Sequence, residues 1–152
     1  MGENSLEHSL LLEDMLCFPL YACAKEVVRR YRAPLEALGL TYTQFIVMTV
    51  LWEEGSLTEG DLGARLYLDS GTLAPLLKRL EKAGMLVRSR PKENERALLL
   101  SLTEKGAALK SKAASVPGAV QKTLPLTEGE LSRLQSLLGK MLDALHHEEE
   151  EA

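Results

Sequence analysis

Cysteine is nearly absent: the 152-residue chain contains only Cys17 and Cys23. Two thiols do not make a disulfide framework, and in a reducing compartment each is either inert or reactive. No apolar run approaches the roughly 20 residues that cross a bilayer, and no signal peptide precedes the first helical pattern. The chain is therefore expected in the cytoplasm, with no membrane partner. Internal repeats and low-complexity stretches are also missing ahead of the acidic end, Glu148 to Glu151. His146 and His147 read as part of that end rather than as metal ligands, so neither a metal nor a cofactor is expected.

What is present is ordinary in bulk and uneven in detail. Apolar residues make up 45% and charged residues 26%, as in soluble globular proteins. The length fits one domain with a real core but not two independent ones. Net charge is −4, which argues mildly against nucleic acid, but that figure is an average. Acidic residues crowd the ends, with Glu3, Glu7, Glu13 and Asp14 at one and Glu148 to Glu151 at the other. Between 78 and 96 the sign reverses: Lys78, Arg79, Lys82, Arg88, Arg90, Lys92 and Arg96 face only Glu81, Glu93 and Glu95. A local patch, not the overall charge, sets the field that a phosphate backbone feels. The alternative is a merely solvated charged face.

Periodicity supplies the elements. Residues 9 to 32 are mostly helical in pattern, with Leu16, Leu20, Cys23 and Val27 on one stripe, and Pro19 places the effective start nearby. A helix over 43–54 is apolar nearly all round and therefore buried, with Trp52 in that core. Thr58, three residues before Asp61, caps a short helix through Leu66. Asp69, Ser70 or Thr72 caps the next, whose stripe is Leu73, Leu76, Leu77 and Leu80. Pro75 is easiest to place if Thr72 is the cap, because first-turn amides lack partners anyway. Gly84 stops this helix. Leu98, Leu100 and Leu102 alternate as a half-buried strand, paired antiparallel with residues 85–90.

At the far end Thr127 and Glu130 have the spacing of a capping box. Leu131, Leu134, Leu138, Met141 and Leu145 then repeat at spacings of 3, 4, 3 and 4. That seam is about two heptads long, too short to stand alone. It packs either onto its own chain or, together with the N-terminal helix, against a second copy; the second reading is preferred.

Residues 58 to 106 thus run helix, helix, strand, charged loop, strand and helix start. A helix of about 13 residues, braced by a preceding helix and followed by a basic hairpin, is a winged helix-turn-helix arrangement. Ser70, Thr72, Lys78 and Arg79 lie off the apolar stripe, where they can meet phosphates or base edges. Lys92 and Arg96, in the hairpin tip, can reach a backbone or a minor groove. One chain offers one such helix; a symmetric dimer offers two and predicts an inverted-repeat operator in double-stranded DNA.

The stretch YLDSGTLAPLLKRLEKAGMLVRSR, with the following NER and SLTEKG, resembles the MarR family of dimeric winged-helix regulators. The resemblance runs from about Leu11 to Leu145. LCFPLYA, Tyr31, and LTYTQF with Tyr42 look like its organic hydroperoxide resistance regulator (OhrR) branch, whereas many family members bind phenolic ligands and lack that cysteine. The implied fold is mainly α with a small β-hairpin wing. Residues of about 9–40 and 104–146 would supply dimerisation helices, and about 43–103 the winged helix-turn-helix core, all within a single domain over 1–152. The wing usually carries an aspartate two residues before its arginine; here Asn94 precedes Arg96, leaving Glu93 or Glu95 as substitute braces.

Cys17 lies near a helix start, where free amides favour a thiolate. A thiolate that attacks a peroxide oxygen becomes a sulfenic acid, the reversible first step of cysteine oxidation. Cys23 shares its stripe with Leu16, Leu20 and Val27 and reads as a small apolar group. A Cys17–Cys23 disulfide within one intact helix is disfavoured, because six residues give about 9 Å of rise on different faces. The chain therefore looks like the one-cysteine type of the branch, in which a small cellular thiol traps the sulfenic acid. By resemblance, Tyr31 and Tyr42 hydrogen-bond the thiolate and Tyr21 packs nearby. Cys17 and Tyr31, 14 residues apart, stand about 21 Å apart in a straight helix, so that tyrosine would come from a partner subunit. The resulting expectation is a repressor that senses organic hydroperoxides through Cys17 and then releases its operator, not an enzyme. The alternatives are a repressor of this family responding to small aromatic compounds, with Cys17 incidental, and a thiol-dependent peroxidase.

Overall fold

The structure, a computed structural model, describes residues 10–150, with side chains described through residue 147. It forms two compact units with the boundary after Val120. Acidic Glu3 and Glu7 and the last of the C-terminal glutamates, Glu151, lie outside the described residues.

In the first unit a single 3-10 turn, Leu12–Asp14, precedes helix α1, Cys17–Glu36. Cys17 is its first residue and Pro19 sits in the first turn, where a missing N–H has no helical partner to lose. The helix passes through Pro34 and ends beyond the expected position near 32. Leu35 is completely buried, and the stop comes only where Gly39 takes φ +73°. Leu38 and Leu40 both donate backbone N–H groups to Leu35 O there, at 2.9 and 3.0 Å.

Helix α2, Tyr42–Glu54, starts from a complete capping box in which the Thr41 side chain accepts from Gln44 N and the Gln44 side chain accepts from Thr41 N. Phe45, Val47, Met48, Val50 and Leu51 are all buried along it, as the unbroken apolar pattern requires. Trp52 is half-buried beside them and donates its indole N–H to Gly106 O at 2.9 Å. Strand β1, Ser56–Thr58, is a short element the periodicity does not reveal. Thr58 also caps helix α3, Glu59–Leu66, as expected, by accepting from Asp61 N at 3.1 Å.

The turn into helix α4, Ser70–Lys82, is tight. Tyr67 adopts the left-handed region with φ 55°, and a Cβ on Gly63 would lie 2.7 Å from Leu68 O, so only glycine fits there. Asp69 is the cap, accepting from Thr72 N at 2.7 Å. Pro75 is therefore an interior residue rather than a first-turn one, which corrects the expectation that Thr72 starts the helix. The carbonyl deprived of its N–H belongs to Gly71; both residues are exposed, and a glycine leaves room for the ring. Leu73, Leu76, Leu77 and Leu80 form the buried stripe as predicted. Gly84 takes φ +74°, with Met85 N donating to Leu80 O and Gly84 N to Glu81 O, a Schellman stop.

Strands β2, Leu86–Ser89, and β3, Leu99–Leu102, pair antiparallel with Arg88 opposite Leu100, and β1 adds to the other side of β3 in the order β1-β3-β2. Leu100 is fully buried under the hairpin. Three short helices follow: α5, Glu104–Ala108, α6, Lys110–Ala113, and α7, Val116–Gln121. Thr103 ties the first of these to the end of α4. Its hydroxyl donates to Gly84 O at 2.6 Å and accepts from Gly106 N at 3.0 Å.

The second unit is dominated by helix α8, Glu128–Glu150. Its capping box is present: Glu130 Oε2 accepts from Thr127 N at 2.8 Å, and Thr127 Oγ1 accepts from Glu130 N at 3.2 Å. The expected seam runs along it with Leu131 and Leu138 half-buried and Leu134, Met141 and Leu145 exposed. Among the described residues, no helix is long and apolar enough to cross a membrane.

Candidate nucleic-acid interface and thiol site

Helix α4 presents its polar side outward. Ser70, Thr72, Lys78 and Arg79 are all exposed, while the four leucines of the stripe hold the opposite side in the core. That division leaves hydroxyls at one end of an anchored helix and cations along it. The loop between β2 and β3 carries Lys92 and Arg96, also exposed. Arg96 lines a cleft of about 390 Å³ with Glu59, Gly60, Gly63 and Ser70. The loop arginine and the first residue of α4 are thus brought to one place, although 26 residues separate them.

The loop is braced by backbone more than by charge. Asn94 N donates to Pro91 O and Ala97 N to Asn94 O, each at 3.1 Å, closing two consecutive turns. Asn94 Oδ1 accepts from Arg96 N at 3.3 Å, a role an aspartate fills equally well. Arg90 donates to Glu95 O at 2.8 Å. Among the described residues, neither the Glu93 nor the Glu95 carboxylate forms an ion pair with Arg96, so the proposed carboxylate substitutes do not brace it; the Asn94 turn does.

One cation of the basic run is turned inward. Arg88 donates from Nε and Nη2 to Glu81 Oε2 at 2.9 and 2.7 Å, and its backbone N donates to Glu81 Oε1 at 3.1 Å. The guanidinium hydrogen bonds hold the Glu81 carboxyl below its ordinary range. Counting charges placed Arg88 in the basic patch. A lone glutamate amid cations at the end of a helix, seven residues before an arginine in the next strand, was the signal for this pair.

Cys17 is exposed at the head of α1. Tyr31 lies three-quarters of the way along the same unbroken helix, so the two cannot meet within one chain. Tyr31 instead meets Tyr42 of α2, with ring centroids 5.2 Å apart at 63°, and the Phe45 ring centre lies 5.9 Å from that of Tyr31. Burial, and secondarily the neighbouring Tyr42, push the Tyr31 phenol above its ordinary pKa. Tyr21 is 63% exposed, with Lys25 Nζ 5.1 Å from its ring centre.

Cys23 is exposed as well, which corrects its reading as a small buried apolar group. The stripe it belongs to is only partly covered within the unit: Leu16 is 66% exposed, whereas Leu20 and Val27 are half-buried. A groove of about 720 Å³ lies beside Tyr42, lined by Val28, Arg29, Arg32, Leu40 and Thr41 among others. Among the described residues, no cluster of His, Cys, Asp and Glu is arranged to hold a metal.

Comparison with known proteins places this architecture. A family model described as transcriptional regulator SarA/Rot matches residues 29–113. The organic hydroperoxide resistance transcriptional regulator of Bacillus subtilis is 44% identical over 144 residues, covering 95% of this chain and 97% of that one. The regulator SarZ of Staphylococcus aureus is 40% identical over 136 residues, covering 87% and 92% respectively. Among solved structures, reduced AbfR bound to DNA is similar with a TM-score of 0.75 and 32% identity, over 90% of this chain and 93% of that one. AbfR, a protein of Staphylococcus epidermidis, has also been solved overoxidised on DNA and in a disulfide form. With such identity over nearly its whole length, the chain belongs to the MarR family of winged helix-turn-helix transcriptional regulators, in the branch of the organic hydroperoxide resistance regulators.

Proposed function

We propose that the chain is a DNA-binding repressor that senses organic hydroperoxides through Cys17. The observation that carries the reading is the separation of Cys17, exposed at the start of α1, from the Tyr31–Tyr42 pair on the same subunit. In this reading each chain supplies the two halves of a thiolate pocket, and a second copy brings them together. The exposed apolar residues of α1 (Leu16, Phe18) and of α8 (Leu134, Leu137, Met141, Leu142, Leu145) are the surfaces such a homodimer would cover. In this reading residues 1–152 act as one functional domain, with helices of about 9–40 and 104–146 pairing and about 43–103 reading DNA.

The chemistry balances with one oxidant. The Cys17 thiolate attacks the terminal oxygen of the hydroperoxide; an S–O bond forms, the O–O bond breaks, and the alcohol leaves after taking a proton. Sulfur is oxidised by two electrons to the sulfenic acid while the peroxide is reduced. A low-molecular-weight thiol then condenses with it, forming an S–S bond and releasing water. Added bulk where partner tyrosines close over Cys17 would alter the spacing of two α4 helices and release an inverted-repeat operator. Ser70, Thr72, Lys78, Arg79, Lys92 and Arg96 are the proposed DNA contacts. Tyr31 and Tyr42 support the thiolate, with Tyr21 beside it.

Gel shifts on DNA upstream of its own gene test the reading. Organic hydroperoxide should release wild-type protein and leave Cys17→Ser protein bound; release of both would refute Cys17 as the trigger. The groove beside Tyr42 favours a second reading, response to a small aromatic compound. Release by salicylate that is insensitive to Cys17→Ser would establish that one instead.

A further inference from the structure

The Glu81–Arg88 pair joins two elements that the DNA-binding reading uses separately. Glu81 lies in the last turn of α4, and Arg88 lies in the middle of β2, the strand that leads to the loop carrying Lys92 and Arg96. Between them the chain reverses through Ala83, Gly84 and Met85. The backbone of that turn is already held by the Schellman bonds and by Thr103, so the side-chain pair is not needed to stop the helix. What it adds is a second, lateral tie. Three hydrogen bonds run from both the side chain and the backbone of Arg88 to both oxygens of one carboxylate. The pair is also partly shielded, with side chains only 35% and 27% exposed, whereas those of the Arg29–Glu26, Arg32–Glu36 and Arg65 pairs are about half exposed or more. A partly buried carboxylate that takes two guanidinium N–H groups on one oxygen and a backbone N–H on the other is fixed in direction as well as distance.

We infer that Glu81 and Arg88 form a clamp that sets the wing against the recognition helix, so that the contacts of Lys92 and Arg96 register on the same DNA as those of α4. Glu81 is then a positioning residue, not a contact. Its placement has a consequence opposite to simple electrostatics. Glu81 is the one acidic residue of a helix whose exposed cations are Lys78, Arg79 and Lys82. If charge alone mattered, neutralising it would tighten binding to a polyanion. A clamp predicts the reverse.

The inference rests on the DNA-binding reading, and a cycle of variants separates the two. Affinity and its salt dependence would be measured by fluorescence anisotropy on a labelled duplex selected from a random pool against the full-length wild-type chain. Glu81→Gln keeps shape and removes the charge. It should weaken binding by about ten-fold and lower the salt slope by about one for each phosphate that the wing no longer neutralises. In a Lys92→Ala/Arg96→Ala background, where the wing has no cation left to misplace, the same substitution should cost almost nothing. Arg88→Lys, which keeps the charge and loses the fork, should behave like Glu81→Gln and serves as the test if the latter does not fold. Tighter binding by Glu81→Gln, or an equal loss in both backgrounds, would overturn the clamp while leaving DNA binding intact. A wild-type chain that selects no duplex from the pool would overturn the DNA-binding reading as well.

Discussion

Tyr31 and Tyr42 meet edge to face, with ring centroids 5.2 Å apart, although one comes from the long α1 and the other from the first position of α2. Burial raises the Tyr31 phenol above its ordinary pKa of 10.0, and the Tyr42 oxygen adds to the effect. An unfolded chain would lose that proton near pH 10, whereas the folded chain keeps it to higher pH. Stability is therefore unaffected by this group below about pH 10 and falls as pH rises from there through the folded value. Tyr31→Phe should flatten this alkaline limb, and Tyr42→Phe should move it only part of the way, because burial remains. Urea unfolding followed by Trp52 fluorescence between about pH 8 and 11 reads both; an unchanged limb in Tyr31→Phe would rule the assignment out.

The acid limb has the opposite sign and a different owner. Glu81 and Glu130 both have carboxyls held below the ordinary range, Glu81 by Arg88 and Glu130 by the amide and hydroxyl of Thr127. Each stabilises the folded chain above the ordinary carboxylate pKa of 4.5, and that contribution is lost as pH falls through the lowered value. Melting temperatures measured down to about pH 3 should fall more steeply for wild type than for Glu81→Gln. Parallel curves would mean that the pair contributes nothing to acid stability.

Gly106 is the tightest of the described glycines. A Cβ there would overlap Met85 O, and the Gly106 peptide is held on both sides, its carbonyl by Trp52 Nε1 and its N–H by Thr103. Gly106→Ala must therefore displace either α5 or the turn that ends α4. A loss of about 3 kcal/mol or more is expected in chemical denaturation, beyond the common range for overpacking. The indole emission of the folded state should shift as well. A loss below about 1 kcal/mol would show that the turn yields easily.

How far the sequence could be read depends on what each element leans on. The α4 stripe, the Thr127–Glu130 capping box and the Gly84 stop were legible because each is a local pattern with one physical cause; the Thr41–Gln44 box, equally local, went unread. Strand β1 was not, since three residues carry no period and take their identity from pairing with Leu99 to Ser101. Pro75 misled because proline in an exposed helical interior is tolerated when the carbonyl it deprives belongs to a solvent-facing glycine. Arg88 was read as one more cation, because the fork onto Glu81 exists only after the hairpin folds back. For Cys23 the stripe was right and its cover was misjudged: periodicity identifies an apolar face, not the chain that buries it.

The two cysteines should separate under oxidation. Both are exposed in the single chain, so accessibility alone predicts that both are modified. Only Cys17 stands at a helix start, where Cys17 N and Phe18 N precede the first helical hydrogen bond, from Leu20 N to Leu16 O. After a stoichiometric dose of organic hydroperoxide, mass spectrometry with a sulfenic-acid trap should find the label at Cys17. Cys23→Ser should retain peroxide-triggered release from DNA, and Cys17→Ser should lose it. Equal labelling of the two thiols would count against a tuned sensor.

The strongest demand for a partner comes from α8. Leu134, Leu137, Met141, Leu142 and Leu145 are 38–56% exposed along one helix, and their burial in a dimer would remove apolar area from water at about 25 cal/mol per Å². A seam of about two heptads is marginal on its own, so a modest insult should break it. Leu134→Glu with Met141→Glu should shift sedimentation from dimer toward monomer at micromolar concentration and abolish binding to a two-half-site duplex. If the same protein also loses peroxide reactivity at Cys17, then the Tyr31–Tyr42 pair acts on the thiol of the other subunit. If a true monomer keeps full reactivity, the tyrosines play no part in activating it, and the sensor is complete within one chain.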